Sequence, residues 1–177
     1  MRPAAGLTLV EVMVTVAILA LLLGLAAPSF KPLLERWRVQ QAVGAMTRSM
    51  QLARSEAIKR VGNVVLQKIA NNTDGCTLAA TAADWGCGWI VFVDSDTSGS
   101  FTAGEEILQT TQIPPSITVV HSSGAAVIRV DRWGKMDGLN AKSFVLTPSP
   151  DGTASPATRS ICAAAGGRIR ITESASC

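Results

Sequence analysis

The stretch that decides the fold is Leu7–Ala27, LTLVEVMVTVAILALLLGLAA, which has 21 residues and a single charged side chain, Glu11. A helix of this length spans roughly 30 Å, which is the thickness of the hydrocarbon core of a bilayer. A secretory signal peptide is cut after its apolar run, whereas the candidate junction here, Gly6-Leu7, precedes that run. We therefore predict a membrane-spanning helix over residues 7–27 that stays in the mature chain.

The residues around this junction, Gly6-Leu7-Thr8-Leu9-Val10-Glu11, resemble the processing site of type IV prepilins. In that family a dedicated peptidase cuts after the glycine and methylates the new N-terminus, so the resemblance implies a leader over residues 1–6. Leu7 departs from the phenylalanine that is most common at the first mature position, and Glu11 falls at the fifth, where the family has glutamate. A carboxylate inside a membrane needs a partner, and in a filament the implied partner is the N-terminal ammonium of a neighbouring subunit. The alternative is an ordinary membrane anchor in which Glu11 is incidental.

Residues 28–60 are predicted to form an amphipathic helix. We expect Pro28 and Pro32 to kink or loosen the helix where it leaves the membrane. Beyond them, apolar side chains recur mostly at three- and four-residue intervals as far as about Arg60, which predicts a stripe that faces a protein core. The stripe consists of Phe30, Leu33, Leu34, Trp37, Val43, Met46, Met50, Ala53 and Ala57.

Residues 61–177 lack the helical period and are predicted to form a β-rich domain. Short β-prone runs alternate with clusters of Gly, Pro, Asn, Asp and Ser, a pattern typical of antiparallel sheets. We therefore predict an α+β fold in which the N-terminal helix packs on antiparallel β-sheet. The predicted strands are 63–69, 76–81, 88–93, 106–112, 116–121, 126–132, 142–147, 159–163 and 168–172.

The distribution of charge and the arrangement of reactive side chains do not indicate an enzyme. The chain carries a formal charge of +3, but residues 61–177 contain eight basic and ten acidic side chains, so this region is not basic as a whole. No nucleophile has a histidine nearby, and no carboxylate pair lies on a recognisable catalytic scaffold. The single histidine, His121, lies in a predicted strand and is interpreted as structural. We predict no enzymatic activity and no cofactor.

Four cysteines allow three disulfide pairings, of which we prefer the two between sequence neighbours, Cys76–Cys87 and Cys162–Cys177. Neither pair has the Cys-x-x-Cys spacing of zinc or redox sites. Disulfides need an oxidising compartment, which predicts a periplasmic C-terminal domain on a single-pass inner-membrane protein. Counting positive charges favours the opposite orientation, because Arg2 lies upstream of the apolar segment and Lys31, Arg36 and Arg38 lie downstream. We give the cysteines and the processing site precedence.

Two further strings resemble the FimT/GspH family of minor pilins and pseudopilins: LARSEAIKR at 52–60, and GWIVFVD at 88–94 followed by EEIL at 105–108. With the processing site, the resemblance covers nearly the whole chain. It implies a type IV pilin-like fold, processing by the prepilin peptidase, and assembly with other pilins into a pilus that is exposed at the cell surface.

An acidic turn between two predicted strands has the spacing of a twelve-residue calcium loop. Asp94, Asp96 and Ser98 occupy positions one, three and five, Gly99 occupies position six, and Glu105 occupies position twelve. No predicted helices flank the turn, so we favour a solvated hairpin stabilised by its Asp, Ser and Gly residues, and we assign no metal.

The string Gly167-Arg168-x-Arg170 resembles a Gly-Arg-x-Arg motif associated with DNA binding in FimT-type pilins. In a strand, Arg168 and Arg170 project from the same face, while Ile169 and Ile171 are expected to point inward. With Arg159, they predict non-specific DNA binding for uptake in natural transformation.

Two alternatives are a structural minor pilin that primes pilus assembly and a minor pseudopilin of a type II secretion system. In either, the same arginines protect an edge strand from aggregation.

Overall fold

The computed structural model describes residues 6, 8–26, 30–137, 142–164 and 167–177. The chain divides into two compact units, Met1–Glu35 and Arg36–Cys177, which we describe separately. The helices and strands, in chain order, are α1 Leu9–Ala26, α2 Lys31–Lys59, β1 Val64–Lys68, β2 Trp89–Val93, β3 Ile107–Thr111, β4 Ile117–His121, β5 Val127–Val130, β6 Lys142–Pro148, β7 Arg159–Ala163 and β8 Ile169–Thr172.

Helix α1 begins at Leu9 because Thr8 and Glu11 cap its N-terminus reciprocally. The Glu11 carboxylate accepts hydrogen bonds from the Thr8 amide (2.9 Å) and the Thr8 hydroxyl (2.8 Å). The Glu11 amide in turn donates to the Thr8 hydroxyl oxygen at 3.3 Å. This arrangement is a capping box, and it satisfies amides that a helix start leaves without partners. Within the described ranges, no helix is both long enough and apolar enough to cross a membrane.

Helix α2 confirms one part of the predicted apolar stripe and contradicts another. The stripe residues from Val43 to Ala57 are all buried. The earlier residues, Phe30, Leu33, Leu34 and Trp37, are exposed, because they precede Val39, the first α2 side chain that the core covers. Pro32 lies in the first turn of α2, where a missing amide costs no helical hydrogen bond. Pro28 lies outside the described residues.

Eight strands form two four-stranded antiparallel sheets, with the orders β3-β2-β1-β5 and β4-β6-β7-β8. The antiparallel α+β prediction is confirmed, and eight of the nine predicted strands are present. The run 76–81 is not a strand, because its backbone finds other partners: the Lys68 ammonium binds the carbonyls of Ala79 and Thr81, and the Asn71 amide oxygen accepts from the Ala79 amide.

One hydrophobic core joins the buried face of α2 to the inner faces of both sheets. A polar link crosses it, in which the Trp89 indole N–H donates to the Ser49 hydroxyl at 2.9 Å. His121 is buried, and its ring stacks on Phe144 with centroids 4.6 Å apart, as expected for a structural histidine. Burial of α2 against the two sheets is therefore what holds the C-terminal unit together.

Candidate nucleic-acid interface

Among the strands that the structure describes, β8 is the edge strand of its sheet and pairs with β7 alone. Arg168 and Arg170 are exposed, and Ile169 between them is half-buried against the core, so the two arginines share the outer face as predicted. Ile171 was expected to point inward, but 51% of it is exposed. The reason is that an edge strand has one neighbouring strand to cover its side chains, and β8 ends one residue later, at Thr172. Gly166 lies outside the described residues.

Arg168, which directly precedes β8, and Arg170, within β8, keep most of their hydrogen-bond donors available. The Arg168 side chain makes no hydrogen bond or ion pair with any described residue. Arg170 donates one long hydrogen bond, of 3.4 Å, from Nη2 to the Cys177 carbonyl oxygen. Each guanidinium carries five N–H donors in a planar fork that matches phosphate geometry, so this edge of the sheet can bind anions.

Arg159 is differently placed from the arginines of β8. Its Nη2 lies 3.1 Å from a carboxylate oxygen of Glu173, and its Nη1 donates to the carbonyls of Pro156 (2.9 Å) and Thr158 (2.8 Å). Only 12% of the side chain is exposed. Because these partners already occupy its donors and compensate its charge, we do not include Arg159 in the candidate interface.

Arg54, which the sequence did not single out, lies directly against the glycine of the motif. Gly167 has φ +84°, and a Cβ built on it would clash with the Arg54 guanidinium. The stem of the same side chain lies against Gly134, where a Cβ would come within 2.7 Å of Arg54 Cγ. The Arg54 side chain makes no hydrogen bond or ion pair with the described part of the chain. The one signal in the sequence was its place in the string 52–60.

The residue before Gly134 is an exposed tryptophan. Trp133 is 79% exposed and lies in a tight turn in which Asp131 Oδ1 accepts from the amides of Trp133 and Lys135, both at 2.9 Å. Arg54 thus connects this turn to the one before β8. We call Arg54, Trp133, Arg168 and Arg170 the basic-aromatic surface.

Both predicted disulfides are confirmed, Cys76–Cys87 and Cys162–Cys177, each with Cα atoms 5.7 Å apart. Cys162 of β7 lies opposite Arg170 of β8 in the sheet register. Its bond to Cys177 holds the last residues of the chain beside Arg170, which explains the contact between Arg170 and the Cys177 carbonyl. The second disulfide therefore belongs to the framework of the basic-aromatic surface.

At the other end of the chain, Gly6 is exposed and nothing surrounds its Cα closely. Leu7 and residues 1–5 lie outside the described residues. Of the two residues at the predicted cleavage point, the structure therefore describes Gly6 alone. The Glu11 carboxylate is the capping group of α1 through Oε2, while Oε1 makes no hydrogen bond with a described residue. One oxygen thus remains for a contact with another molecule.

The architecture, a helical N-terminus with α2 packed on two antiparallel sheets, is that of type IV pilin-like proteins. Two crystal forms of the type IV minor pilin FimU from Pseudomonas aeruginosa (strain PAO1) share it, with TM-scores of 0.56 and 0.57 and 20% sequence identity. These matches cover 75% and 77% of this chain, and 91% and 90% of the FimU chains.

The family described as type II transport protein GspH matches residues 42–174, and the prokaryotic N-terminal methylation motif matches residues 1–27. The chain belongs to the GspH/FimT family of type IV minor pilins and pseudopilins. A curated relative, the pilin-like protein PilA1 of Thermus thermophilus, is 35% identical over 101 residues, which are 57% of this chain. The chain spans about half the length of that relative (55%).

Proposed function

We propose that the chain is a minor type IV pilin that binds DNA without sequence preference, for uptake in natural transformation, and that the basic-aromatic surface is its binding site. The observation that carries the proposal is the exposed Arg168, which has no partner among the described residues and follows a glycine that Arg54 contacts. Arg168 and Arg170 belong to residues 61–177, which carry eight basic and ten acidic side chains, and Arg54 of α2 lies against the turn before them. Such a local concentration of arginine attracts phosphate even where the net charge of the domain does not.

The number of arginines sets the strength of binding. Each guanidinium can hold a phosphate in a bidentate contact. Two to three phosphate contacts give a slope of about −2 to −3 for log affinity against log salt concentration on duplex DNA. Affinity for a single subunit is therefore weak, and several subunits along a filament would act together.

Trp133 extends the proposal to unpaired bases. An exposed indole provides a stacking platform that accepts any base, and stacking of this kind contributes about 1–3 kcal/mol per base. Gly134 lies against the Arg54 side chain and Trp133 is the residue before it, so we propose that a strand held by the arginines also reaches the indole. Single-stranded DNA should therefore bind at least as well as duplex DNA.

The rest of the chain fits assembly and export. We propose that the prepilin peptidase cuts after Gly6, that residues 7–27 anchor the subunit in the inner membrane, and that the C-terminal domain is periplasmic. Two disulfides among the described residues agree with an oxidising compartment. Glu11 Oε1 would meet the N-terminal ammonium of a neighbouring pilin, and incorporation into the pilus would expose the subunit at the cell surface.

The test is fluorescence anisotropy with labelled duplexes of unrelated sequence and the full chain in detergent. Arg168→Gln and Arg170→Gln should each weaken binding to all duplexes alike, and the salt slope should fall by about one for each arginine removed. Arg38→Gln, which removes an exposed arginine from α2, is the matched control and should bind as the parent does. If the folded double variant binds DNA as well as the parent, the proposal is wrong.

The second candidate function is a minor pseudopilin, and the family description, type II transport protein GspH, favours it. In that case, and in a priming pilin, the β8 arginines only protect an edge strand. A photo-crosslinker at position 10, next to Glu11, would identify the neighbouring subunit by mass spectrometry. Capture of a major pilin supports the pilus, and capture of a major pseudopilin supports the secretion system.

A further inference from the structure

The loop between β2 and β3 brings three carboxylates together. Asp94, Asp96 and Glu105 each offer an oxygen, and these oxygens all lie within 4.8 Å of one another. The sequence favoured a solvated hairpin, but a hairpin of that kind has no buried acid. Asp94 is only 5% exposed. The burial of one carboxylate of the cluster therefore needs a separate explanation.

The two oxygens of Asp94 differ sharply. Oδ2 accepts a hydrogen bond from the Gly99 amide at 2.9 Å, which fixes the orientation of the carboxylate. Oδ1 is buried, and no described group donates a hydrogen bond to it. A buried charged oxygen without a hydrogen-bond donor or a cation beside it costs free energy. A positive group bound next to Oδ1 would remove that cost.

No basic side chain of the described residues supplies that positive group. The three acids of the cluster take part in no ion pair with a described residue. The Arg129 guanidinium lies against Gly99, but its ion pair is with Asp137, at 3.7 Å. Arg60 is bound to Glu56 and to Glu106, whose two oxygens lie 2.7 and 2.9 Å from the guanidinium nitrogens. The negative charge of the cluster is thus left uncompensated.

The other two carboxylates are held in place by the loop. Asp96 accepts from the Ser98 amide (2.9 Å) and the Thr102 hydroxyl (3.0 Å). Glu105 accepts from the amides of Ser95 and Thr102, both at 2.8 Å. Each carboxylate oxygen has two lone-pair sites, so these bonds leave acceptor capacity free. The ligand atoms therefore need little rearrangement to bind a cation.

The loop itself is anchored to the sheet. Phe101 packs edge-on against the buried Phe92, with ring centroids 5.4 Å apart, and the Phe101 amide donates to the Gln67 side chain at 2.8 Å. The Val93 amide donates to the backbone carbonyl of Glu106, and the Asp94 amide donates to the backbone carbonyl of Asn63. Since both ends and the middle of the loop are fixed, the carboxylates are held together before any cation arrives.

From this geometry we propose that the β2–β3 loop is a calcium site, with Asp94 Oδ1, Asp96 and Glu105 as its carboxylate ligands. Calcium takes six to eight oxygen ligands and tolerates variable geometry. Backbone carbonyls and water would supply the ligands beyond the three carboxylates. Magnesium requires near-ideal octahedral geometry and gives up its water reluctantly, so it should bind more weakly. In a helix–loop–helix sensor, calcium changes the angle between two helices. Here the loop connects the strands β2 and β3, so calcium would only stabilise the loop.

The test is calorimetric titration of the full chain in detergent with Ca²⁺ and with Mg²⁺, after treatment with a chelator. We expect a dissociation constant for Ca²⁺ of about 10⁻⁴–10⁻³ M, in the range of extracellular modules, and weaker Mg²⁺ binding. Ca²⁺ should also raise the melting temperature, because it binds the folded chain. Asp94→Asn should weaken Ca²⁺ binding at least tenfold.

Asp74→Asn is the matched control, because it removes one exposed acid, and asparagine tolerates the left-handed backbone there (φ +50°). It should bind Ca²⁺ as the parent does. Glu105→Gln provides a second loss of charge in the cluster if Asp94→Asn fails to fold. The proposal is overturned if the parent shows neither binding heat nor a melting shift at about 10 mM Ca²⁺, tenfold above the weakest extracellular sites. It is equally overturned if a folded cluster variant binds Ca²⁺ like the parent.

Discussion

The guanidinium of Arg54, on α2, occupies the space that any side chain at position 167 would need. This contact joins the helix to the turn before β8, which the Gly167 amide closes by donating to the Ala164 carbonyl at 2.8 Å. The positive φ favours glycine at position 167, and a side chain there would also have to displace the Arg54 guanidinium. The contact between Arg54 and Gly167 thus links α2 to the edge strand β8.

We expect Gly167→Ala to destabilise the chain by about 1–3 kcal/mol, since it adds a steric clash to a strained backbone. Gly124→Ala is the matched control, because Gly124 has a similar φ (+73°) and open space around it. The difference between the two variants in urea denaturation reports the Arg54 contact alone. Equal losses for the two would show that the contact contributes nothing.

The Glu11 carboxylate has two separable roles, capping α1 and carrying a negative charge. Glutamine also serves in a capping box, so Glu11→Gln should keep the cap while it reduces incorporation into filaments. Thr8→Ala should do the opposite, weakening the cap and leaving incorporation nearly normal. Immunoblots of sheared filaments measure incorporation, with membrane fractions as the reference. Normal incorporation of Glu11→Gln would contradict the proposed contact with a neighbouring N-terminus.

Processing of the precursor is expected to remove residues 1–6 and leave a methylated amine on Leu7. The N-terminal methylation motif over residues 1–27 supports this expectation. Mass spectrometry of the N-terminal peptide checks it, and Gly6→Leu, which blocks the junction, should leave the precursor at full length. Cleavage after Ala27 would instead identify an ordinary signal peptide.

The Cys162–Cys177 disulfide closes a loop with a sequence separation of 15. In the chain-entropy view, a loop of this size stabilises the folded state by about 3 kcal/mol. The pair of substitutions Cys162→Ser and Cys177→Ser should lower stability by about that amount and free Arg170 from the Cys177 carbonyl. Thermal denaturation with and without reductant measures the first effect. In the double variant, reductant should still act through Cys76–Cys87.

Acid should weaken the contact between Arg60 and Glu56. The Arg60 guanidinium, 2.8 Å from the carboxylate, holds the pKa of Glu56 below its ordinary value. A carboxyl whose pKa is lower in the folded chain stabilises it above the unfolded pKa, about 4.3. That contribution is lost as the pH falls through the folded pKa. The melting temperatures of the parent and of Arg60→Gln should therefore converge between about pH 5 and pH 2, whereas Arg38→Gln should follow the parent throughout.

The sequence by itself determined the features that depend on neighbours along the chain. The apolar segment, the processing motif, the buried part of the α2 stripe and eight strands all follow from local periodicity and turn residues. For the disulfides, the sequence allowed three pairings and favoured the two between sequence neighbours, which the structure contains. The capping box of α1 was also present in the sequence as Thr8-x-x-Glu11, and it could have been predicted.

Only the tertiary structure decided which charged side chains are compensated. Arg159 and Arg168 look alike in the sequence, yet Glu173 compensates the first, and the second has no partner in the described part of the chain. Likewise, the sequence favoured a solvated hairpin at Asp94, but the fold buries one oxygen of this carboxylate without a donor among the described groups. The physical reason is that the cost of a charge depends on the groups packed around it, and residues remote in the sequence supply those groups.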